Sequence, residues 1–360
     1  MKPRVIAFYL PQYHPFPEND LWWGKGFTEW TNVGKAKRLF IGHDQPKIPA
    51  DLGYYDLRVP EVRTLQAEYA RRAGIEGFCY YHYWFGDKEL MERPLNEVIK
   101  SKSPDYPFCI CWANESWSNK FWNKDSTGSP KLLIEQKYLG PSDHEIHFYR
   151  LLDAFKDSRY MRQDKRLIFM IYKPLSFPGI SDFIKQWRHL ADVNGLPGFY
   201  FIGYTTDPDL SNEILGLGFD AVNINRLPAC LPKKNSIESI WRNIQMRVFH
   251  CPIIVKYKKA IRHFDGIEDE DDRIIPSIIP NWDHTPRSGY MGYLLHNSTP
   301  DFFRIHVRKV FSRLKNKTNK LVFLKSWNEW GEGNYMEPDI KYGNQYIDGL
   351  REEVERCIDY

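Results

Sequence analysis

Two glutamates near the carboxyl end of the chain have the type and spacing required for acid–base chemistry. Glu329 and Glu332 lie three residues apart in the segment Asn-Glu-Trp-Gly-Glu-Gly, residues 328–333. Side chains alternate along a strand, so both carboxylates reach one pocket only if the backbone bends, which Gly331 and Gly333 permit. Glycosidic chemistry uses such a pair, one carboxyl group as proton donor and the other as base or nucleophile. We predict that both glutamates are catalytic; the alternative is a polar turn in which Glu332 caps the following segment.

Polar and aromatic side chains recur at the ends of several predicted strands and in the long loop after the first one. Flat aromatic faces cover the C–H patches of sugar rings, while carboxylates and amides bind the hydroxyl groups. The predicted substrate-binding residues are Trp22, Trp23, Glu29, Trp30, His82, Tyr83, Asn114, Glu115, Trp117, Trp282, Asp283, Trp327 and Asn328. Structural roles stay open for some of them. Trp22, Trp23, Trp30 and Trp282 could anchor loops, Glu115 could pair with a basic side chain, and His82 could be a core histidine.

The apolar pattern of the chain predicts the elements that position these side chains. Eight short runs rich in β-branched and aromatic residues alternate with longer amphipathic segments, which is typical of parallel strands covered on both faces. The predicted strands are 5–10, 77–84, 108–113, 166–172, 199–204, 220–225, 274–280 and 321–327. The predicted helices are 60–73, 90–100, 143–156, 181–193, 236–248, 300–314 and 344–356.

Eight alternating strands and helices predict an α/β fold, a (β/α)8 TIM barrel that forms one catalytic domain over residues 1–360. Active sites of this fold lie at the carboxyl ends of the strands, where the candidate residues cluster. The stretch 11–58 is predicted to be a long functional loop.

Composition narrows the classes of partner and cofactor. The formal net charge is +4 over 360 residues and the basic residues are scattered, so nucleic-acid binding is not expected. The six cysteines lack zinc-ligand or disulfide-framework spacing, and no glycine-rich nucleotide turn follows a strand. We therefore predict neither a metal nor a cofactor, and an oligosaccharide or polysaccharide as the partner.

No apolar run has the length of a signal-peptide core or a transmembrane segment, so the expected location is cytoplasmic. The two basic clusters, at residues 256–259 and 315–317, each have two interpretations. Each is either a solvated loop or helix face or a patch that faces an anionic membrane or a glycolipid.

Motifs along most of the chain carry a family resemblance. They are FYLPQYH at 8–14, WWGKGFTEWTNV at 22–33, GHDQP at 42–46, DLGYYDLR at 51–58, GFCYYHYW at 77–84, CWANE at 111–115, WNEWGEG at 327–333 and EPD at 337–339. With these motifs the sequence resembles the WbsX-type proteins, described as glycosyltransferases of lipopolysaccharide or O-antigen gene clusters. Those proteins are in turn similar to glycoside hydrolase family 99, the endo-α-mannosidases and endo-mannanases.

The resemblance implies an enzyme that cleaves or transfers α-linked, mannoside-like units of bacterial polysaccharide with retention of configuration. Glu329 would take the proton of the sugar 2-hydroxyl, and Glu332 would protonate the departing oxygen. The sequence departs from family 99 at Gly331, where that family carries a different residue. The alternatives are a glycosyltransferase of O-antigen, capsule or lipopolysaccharide biosynthesis and a non-catalytic sugar-binding protein.

Overall fold

Eight parallel strands form a closed barrel in this protein. The computed structural model describes residues 2–119, 131–232 and 236–357. The barrel strands are β1 (Arg4–Tyr9), β2 (Ile75–Trp84), β3 (Phe108–Trp112), β4 (Arg166–Ile171), β5 (Phe199–Thr205), β6 (Ala221–Ile224), β7 (Ile274–Ile278) and β8 (Leu321–Leu324). Each strand pairs with the next, and β1 pairs with both β2 and β8, which closes the sheet. The predicted (β/α)8 barrel is confirmed, and each predicted strand overlaps one barrel strand.

Helices follow the strands, and they either cover the outside of the barrel or lie in the loops at the carboxyl ends of the strands. They are α1 (Pro17–Trp23), α2 (Glu29–Lys35), α3 (Pro60–Arg72), α4 (Arg93–Ser101), α5 (Pro141–Arg150), α6 (Leu152–Phe155), α7 (Ile180–Val193), α8 (Ser211–Gly216), α9 (Ile237–Phe249), α10 (Tyr257–Ala260), α11 (Thr285–Ser288), α12 (Pro300–Arg313) and α13 (Gln345–Arg356). The predicted helix 143–156 is divided between α5 and α6. The predicted loop 11–58 contains α1 and α2, and the short helix α8 was not predicted.

Short strand pairs extend the loops beyond the barrel. They are Trp117–Ser118 with Leu132–Ile134, Ile253–Lys256 with Tyr293–His296, and Asn328–Glu329 with Asn334–Tyr335. Glu89–Leu90 and Arg162–Gln163 add antiparallel partners to β2 and β4.

The barrel strands are buried on both faces, as their continuous apolar composition predicts. All five residues of β7 are buried, although Pro276 lies within the strand. All five residues of β3 are buried as well. Cys79, Cys109 and Cys111 are buried in β2 and β3 as free thiols. The main apolar core extends from Val5 to Val354, so the two ends of the chain belong to the same packed unit.

Candidate active site

A cavity of about 450 Å³ opens at the carboxyl ends of the barrel strands. Its volume lies within the range of roughly 300–1,000 Å³ that is usual for small-molecule sites. Eight of its wall residues lie at or just after the end of a barrel strand: Leu10, Tyr83, Ala113, Tyr172, Tyr204, Thr206, Asn225 and Lys325. The cavity therefore occupies the place where this fold carries its active sites.

The backbone bends sharply after β8 and directs both predicted catalytic glutamates into this cavity. Glu329 ends a two-residue strand, and a single 3-10 turn, Trp330–Glu332, follows it. Gly333 has a φ of 52°, and a Cβ at that position would lie 2.7 Å from Cβ of Asp283. The bend requires a glycine there, because any other side chain would be strained and would collide with that neighbour.

Glu329 is buried at the base of the cavity beside a lysine. Nζ of Lys325 donates to Oε2 of Glu329 at 2.8 Å and lies 3.3 Å from the hydroxyl of Tyr81. Burial raises the pKa of Glu329 to about 7; the charge of Lys325 opposes the rise and the neighbouring Glu332 adds to it. A carboxyl group with this pKa can hold or release its proton near neutral pH, which general acid–base catalysis requires.

Glu332 is held by an arginine that reaches the site from α11. Nη1 of Arg287 donates to Oε1 of Glu332, and Nε of Arg287 donates to Oε2 of Glu29 at 3.1 Å. Burial works against the charge of Arg287, but the surrounding glutamates raise its pKa above the ordinary value, so it stays a cation. Nε2 of His284 lies 3.8 Å from the same Glu332 oxygen. Glu332 therefore has a charge-assisted hydrogen bond from Arg287 and a histidine beside it.

Gly331 makes room for the carboxylate that pairs with this arginine. A Cβ at position 331 would lie 1.8 Å from Oε2 of Glu29 and 3.1 Å from Nε of Arg287. Glu29 is fully buried on α2, so it has no solvent-filled space into which it could move. The absence of a side chain at Gly331 is therefore a condition for the Glu29–Arg287 pair.

Aromatic and polar side chains form the walls of the cavity. Trp117 lies edge-on to Tyr83 with ring centroids 5.1 Å apart, and the ring of Trp282 lies 5.5 Å from that of Tyr293. Glu115 is half-exposed, with Nζ of Lys173 at 3.7 Å. Of the predicted substrate-binding residues, those that line the cavity are Trp23, Tyr83, Glu115, Trp117 and Trp282.

The other eight predicted binding residues lie behind the cavity wall or beside it. Trp22 packs edge-on against Trp117, with ring centroids 5.9 Å apart. Nε1 of Trp30 donates to the carbonyl of Tyr55 at 2.7 Å, and Trp327 is buried against Phe78 on the outside of the barrel. Trp22 and Trp30 are partly buried, and none of these three tryptophans lines the cavity.

Asn114 and Asn328 bind backbone groups at the ends of neighbouring strands. Nδ2 and Oδ1 of Asn114 bind the carbonyl and N–H of Lys173 at 3.1 and 2.7 Å. Asn328 binds the N–H and carbonyl of Leu10 in the same way, at 2.8 and 3.0 Å. Both amides have these backbone partners instead of a surface on the cavity.

His82, Asp283 and Glu29 are buried in polar networks outside the cavity. Nε2 of His82 lies 2.8 Å from Nε2 of His147 on α5, and burial lowers the pKa of His82 to about 3. Asp283 accepts from Gln45 at 2.7 Å and lies 2.8 Å from Nε2 of His43. Glu29 contacts the site through its bond to Arg287.

Several wall residues were not predicted. Lys325, Tyr172, Tyr204 and Asn225 all lie at or just after strand ends, so the rule used for the other strands would have identified them. Arg287 carries no such signal, because it comes from a short helix in a loop far from any strand end.

Neither a metal-binding cluster nor a membrane-spanning helix occurs in the described part of the chain. Within residues 2–119, 131–232 and 236–357, no group of three or more His, Cys, Asp or Glu side chains is placed to hold a metal ion. In the same ranges, no helix has the length and apolar character needed to cross a bilayer.

Comparisons with known proteins agree on a family and a fold. The model of the family described as "Glycosyltransferase WbsX" matches residues 5–350. The protein WxcX of Xanthomonas campestris pv. campestris is 33% identical over 367 residues, covering 99% of this chain and 50% of WxcX. The chain thus spans about half the length of the curated relatives it matches.

Two solved structures resemble the whole barrel. A "glycoside hydrolase-like protein" has a TM-score of 0.62 at 18% identity, over 98% of this chain and 94% of that one. The GH99 endo-alpha-mannosidase from Bacteroides thetaiotaomicron has a TM-score of 0.60 at 15% identity, over 99% and 97% of the two chains. At such low identities the likeness establishes a shared fold.

Proposed function

Because the chain belongs to the WbsX glycosyltransferase family, we propose that it is a carbohydrate-active enzyme that cleaves or transfers α-linked glycosides of bacterial polysaccharide. Glu329 and Glu332 are its acid–base pair. The observation that carries the proposal is the placement of the two carboxyl groups in one cavity with opposite environments. One is buried and has a pKa of about 7, and the other is bound by Arg287.

The proposed reaction retains configuration through the substrate's own 2-hydroxyl. Glu329 takes the proton of that hydroxyl, whose oxygen attacks the anomeric carbon and forms a 1,2-anhydro sugar. Glu332 protonates the departing oxygen, and water or an acceptor hydroxyl then opens the strained ring. The route requires the 2-oxygen to be trans to the leaving group, as in α-mannosides.

The pair needs one proton to begin this cycle. Burial keeps the proton on Glu329 up to about pH 7, while Glu332 accepts a hydrogen bond from Arg287. The two carboxyl groups are hydrogen-bond partners, so the proton can pass from Glu329 to Glu332 when a substrate hydroxyl approaches Glu329. Glu332 can therefore act as the proton donor only after it receives this proton from Glu329.

Transfer to a sugar acceptor is the second candidate, favoured by the description of the family as glycosyltransferases. It uses the same cavity and the same pair, with an acceptor hydroxyl in place of water. A non-catalytic sugar-binding protein would have no use for two carboxyl groups with these cationic partners. Products formed with and without added acceptor separate hydrolysis from transfer.

The first test compares wild type with Glu329→Gln and Glu332→Gln on aryl α-mannosides and bacterial O-polysaccharides. Each substitution removes one acid–base group, so we expect kcat/KM to fall by roughly 100- to 10,000-fold. Glu115→Gln is the matched control, since it makes the same change to a half-exposed wall residue, and we expect it to alter mainly KM. Wild type that neither hydrolyses nor transfers any of these substrates would overturn the proposal.

Leaving-group dependence assigns the two roles. A dinitrophenyl glycoside leaves without protonation, so Glu332→Gln should keep most of its activity on that substrate while Glu329→Gln does not. The pH profile tests the proton that the pair requires. Because the cycle begins with one proton on the pair, kcat/KM should fall as the pH rises through about 7, the pKa of Glu329. A profile that instead rises through pH 7 would contradict this one-proton cycle.

A further inference from the structure

Helix α9 turns an apolar stripe toward the solvent. Ile237, Trp241 and Val248 are 88%, 60% and 64% exposed, and Ile244 is exposed between them. At 3.6 residues per turn these four side chains fall within about 60° of arc on one helix face. Phe249, at the end of the helix, is 66% exposed. A helix in a globular protein normally packs its apolar face inward, so this exposed stripe indicates an interaction surface.

The charges that accompany this stripe along the chain indicate the kind of partner. Residues 236–263 contain six Lys and Arg residues and one acidic residue, Glu238. Five of the basic residues are exposed: Arg247, Lys256, Lys258, Lys259 and Arg262. Exposed Trp and Phe in a segment rich in basic residues is the pattern of helices that lie in the surface of an anionic bilayer.

The segments before and after α9 reach the wall of the active-site cavity. Leu227 and Pro228, which line the cavity, precede α9 along the chain. After the helix, the ring of His250 lies 4.6 Å from that of Tyr290, and Ile253 pairs with Tyr293, another wall residue. A surface bound to α9 would therefore lie on the same side of the barrel as the cavity.

We propose that α9 and the basic residues 256–262 bind the surface of an anionic lipid bilayer, with the apolar stripe inserted at the headgroup level. This surface is inferred from exposure and charge and does not depend on the proposed activity. Its consequence, that the cavity faces saccharides attached to membrane lipids, does rest on the proposed function.

The test is flotation of the protein with vesicles of 30% phosphatidylglycerol and 70% phosphatidylethanolamine, and with vesicles of phosphatidylcholine alone. We expect binding to the anionic vesicles that weakens as salt is raised, and at least tenfold weaker binding to the neutral ones. The double variant Trp241→Glu/Val248→Glu should reduce binding to anionic vesicles at least tenfold. Lys258→Glu/Lys259→Glu should reduce both the binding and its dependence on salt.

The control is Ile146→Glu/Tyr149→Glu on α5, which places the same two charges at residues that are 60% and 45% exposed, and should leave binding within about twofold of wild type. Circular dichroism establishes that each variant is folded. Equal losses in the α5 and α9 double variants, or no binding by wild type at low salt, would overturn the proposal. The proposal would also be overturned if wild type bound no vesicles but formed a dimer that the α9 double variant dissociates. Glu332→Gln should bind vesicles like wild type, which separates this proposal from the catalytic one.

Discussion

Five ionisable side chains at the base of the cavity form a row of alternating charge. Glu29 binds Arg287, Arg287 binds Glu332, and Lys325 lies 4.0 Å from Glu332 and 2.8 Å from Glu329. With all five ionised, the row would carry one net negative charge. One proton on Glu329 neutralises the row, which agrees with the pKa of about 7 that burial gives this residue. Removing any of the other four members of this buried row leaves an unpaired charge, which costs about 3–5 kcal/mol.

Gly331→Ala should disturb this row without changing any charge. The added Cβ would lie 1.8 Å from Oε2 of Glu29, so that carboxylate must move away from Arg287. We expect kcat/KM to fall at least about tenfold and the thermal unfolding midpoint to fall, measured by steady-state kinetics and circular dichroism.

Gly34→Ala is the matched control for that substitution. Gly34 lies on α2 together with Glu29, and an added Cβ there has no atom within 4 Å. This variant should retain wild-type activity. If Gly331→Ala behaves like Gly34→Ala, the space beside Glu29 is not needed for the Glu29–Arg287 pair. A double variant Glu29→Ala/Gly331→Ala should be no less stable than Glu29→Ala alone, because the collision is then absent.

At the level of elements, polar residues at strand ends divide between the cavity and the barrel itself. Asn328 joins the end of β8 to Leu10 after β1, and Asn114 joins the ends of β3 and β4. Each amide side chain pairs with the backbone that follows the neighbouring strand, at the point where the two strands separate. Buried backbone groups need such partners, so a polar residue at a strand end is not by itself a substrate ligand.

His82→Gln tests this distinction on β2. His82 lies between the barrel and α5, 2.8 Å from His147, and does not line the cavity. We expect kcat/KM to stay within about threefold of wild type, and the free energy of unfolding to fall by about 1–3 kcal/mol from the broken buried hydrogen bond. Urea unfolding measures the second quantity. A hundredfold loss of activity with unchanged stability would instead make His82 a substrate ligand.

The same histidine should make stability sensitive to acid. Its pKa is lowered to about 3 by burial, so the unfolded chain binds more protons between pH 3 and the ordinary histidine value. The stability contributed by neutral His82 is therefore complete above about pH 6.5 and is lost as the pH falls, by about 1.4 kcal/mol per unit. Between pH 6.5 and 5, the free energy of unfolding of His82→Gln should therefore fall less steeply than that of wild type, by about 1.4 kcal/mol per pH unit.

At the level of the whole molecule, closure of the barrel joins the two ends of the chain. β1 is hydrogen-bonded to β8, and Val5 and Val354 belong to one apolar core. A second, smaller cluster lies under the loops that carry part of the cavity wall; its members include Leu227, Tyr257 and Trp282. Trp282 belongs to this cluster and also lines the cavity, which links the cluster to the site.

The prediction of one domain can be tested by thermal unfolding. If the barrel and the second cluster form one cooperative unit, activity, tryptophan fluorescence and far-ultraviolet circular dichroism should be lost at the same temperature. Loss of activity and fluorescence well below the circular dichroism transition would indicate that the loops around residues 227–302 unfold separately from the barrel.

The eight strands were predictable because a barrel strand is covered on both faces, and its continuous apolar run is visible in the sequence alone. The pattern of Glu329 and Glu332 with Gly331 and Gly333 was equally visible in a short stretch of sequence, and the structure directs both glutamates into the cavity. The sequence did not separate Tyr83, which lines the cavity, from Asn114 and Asn328, which bind backbone. That choice depends on how the strand ends meet in space. Arg287 is decided wholly by tertiary structure, because the fold brings a cation from a distant loop against Glu332, and no local pattern encodes that approach.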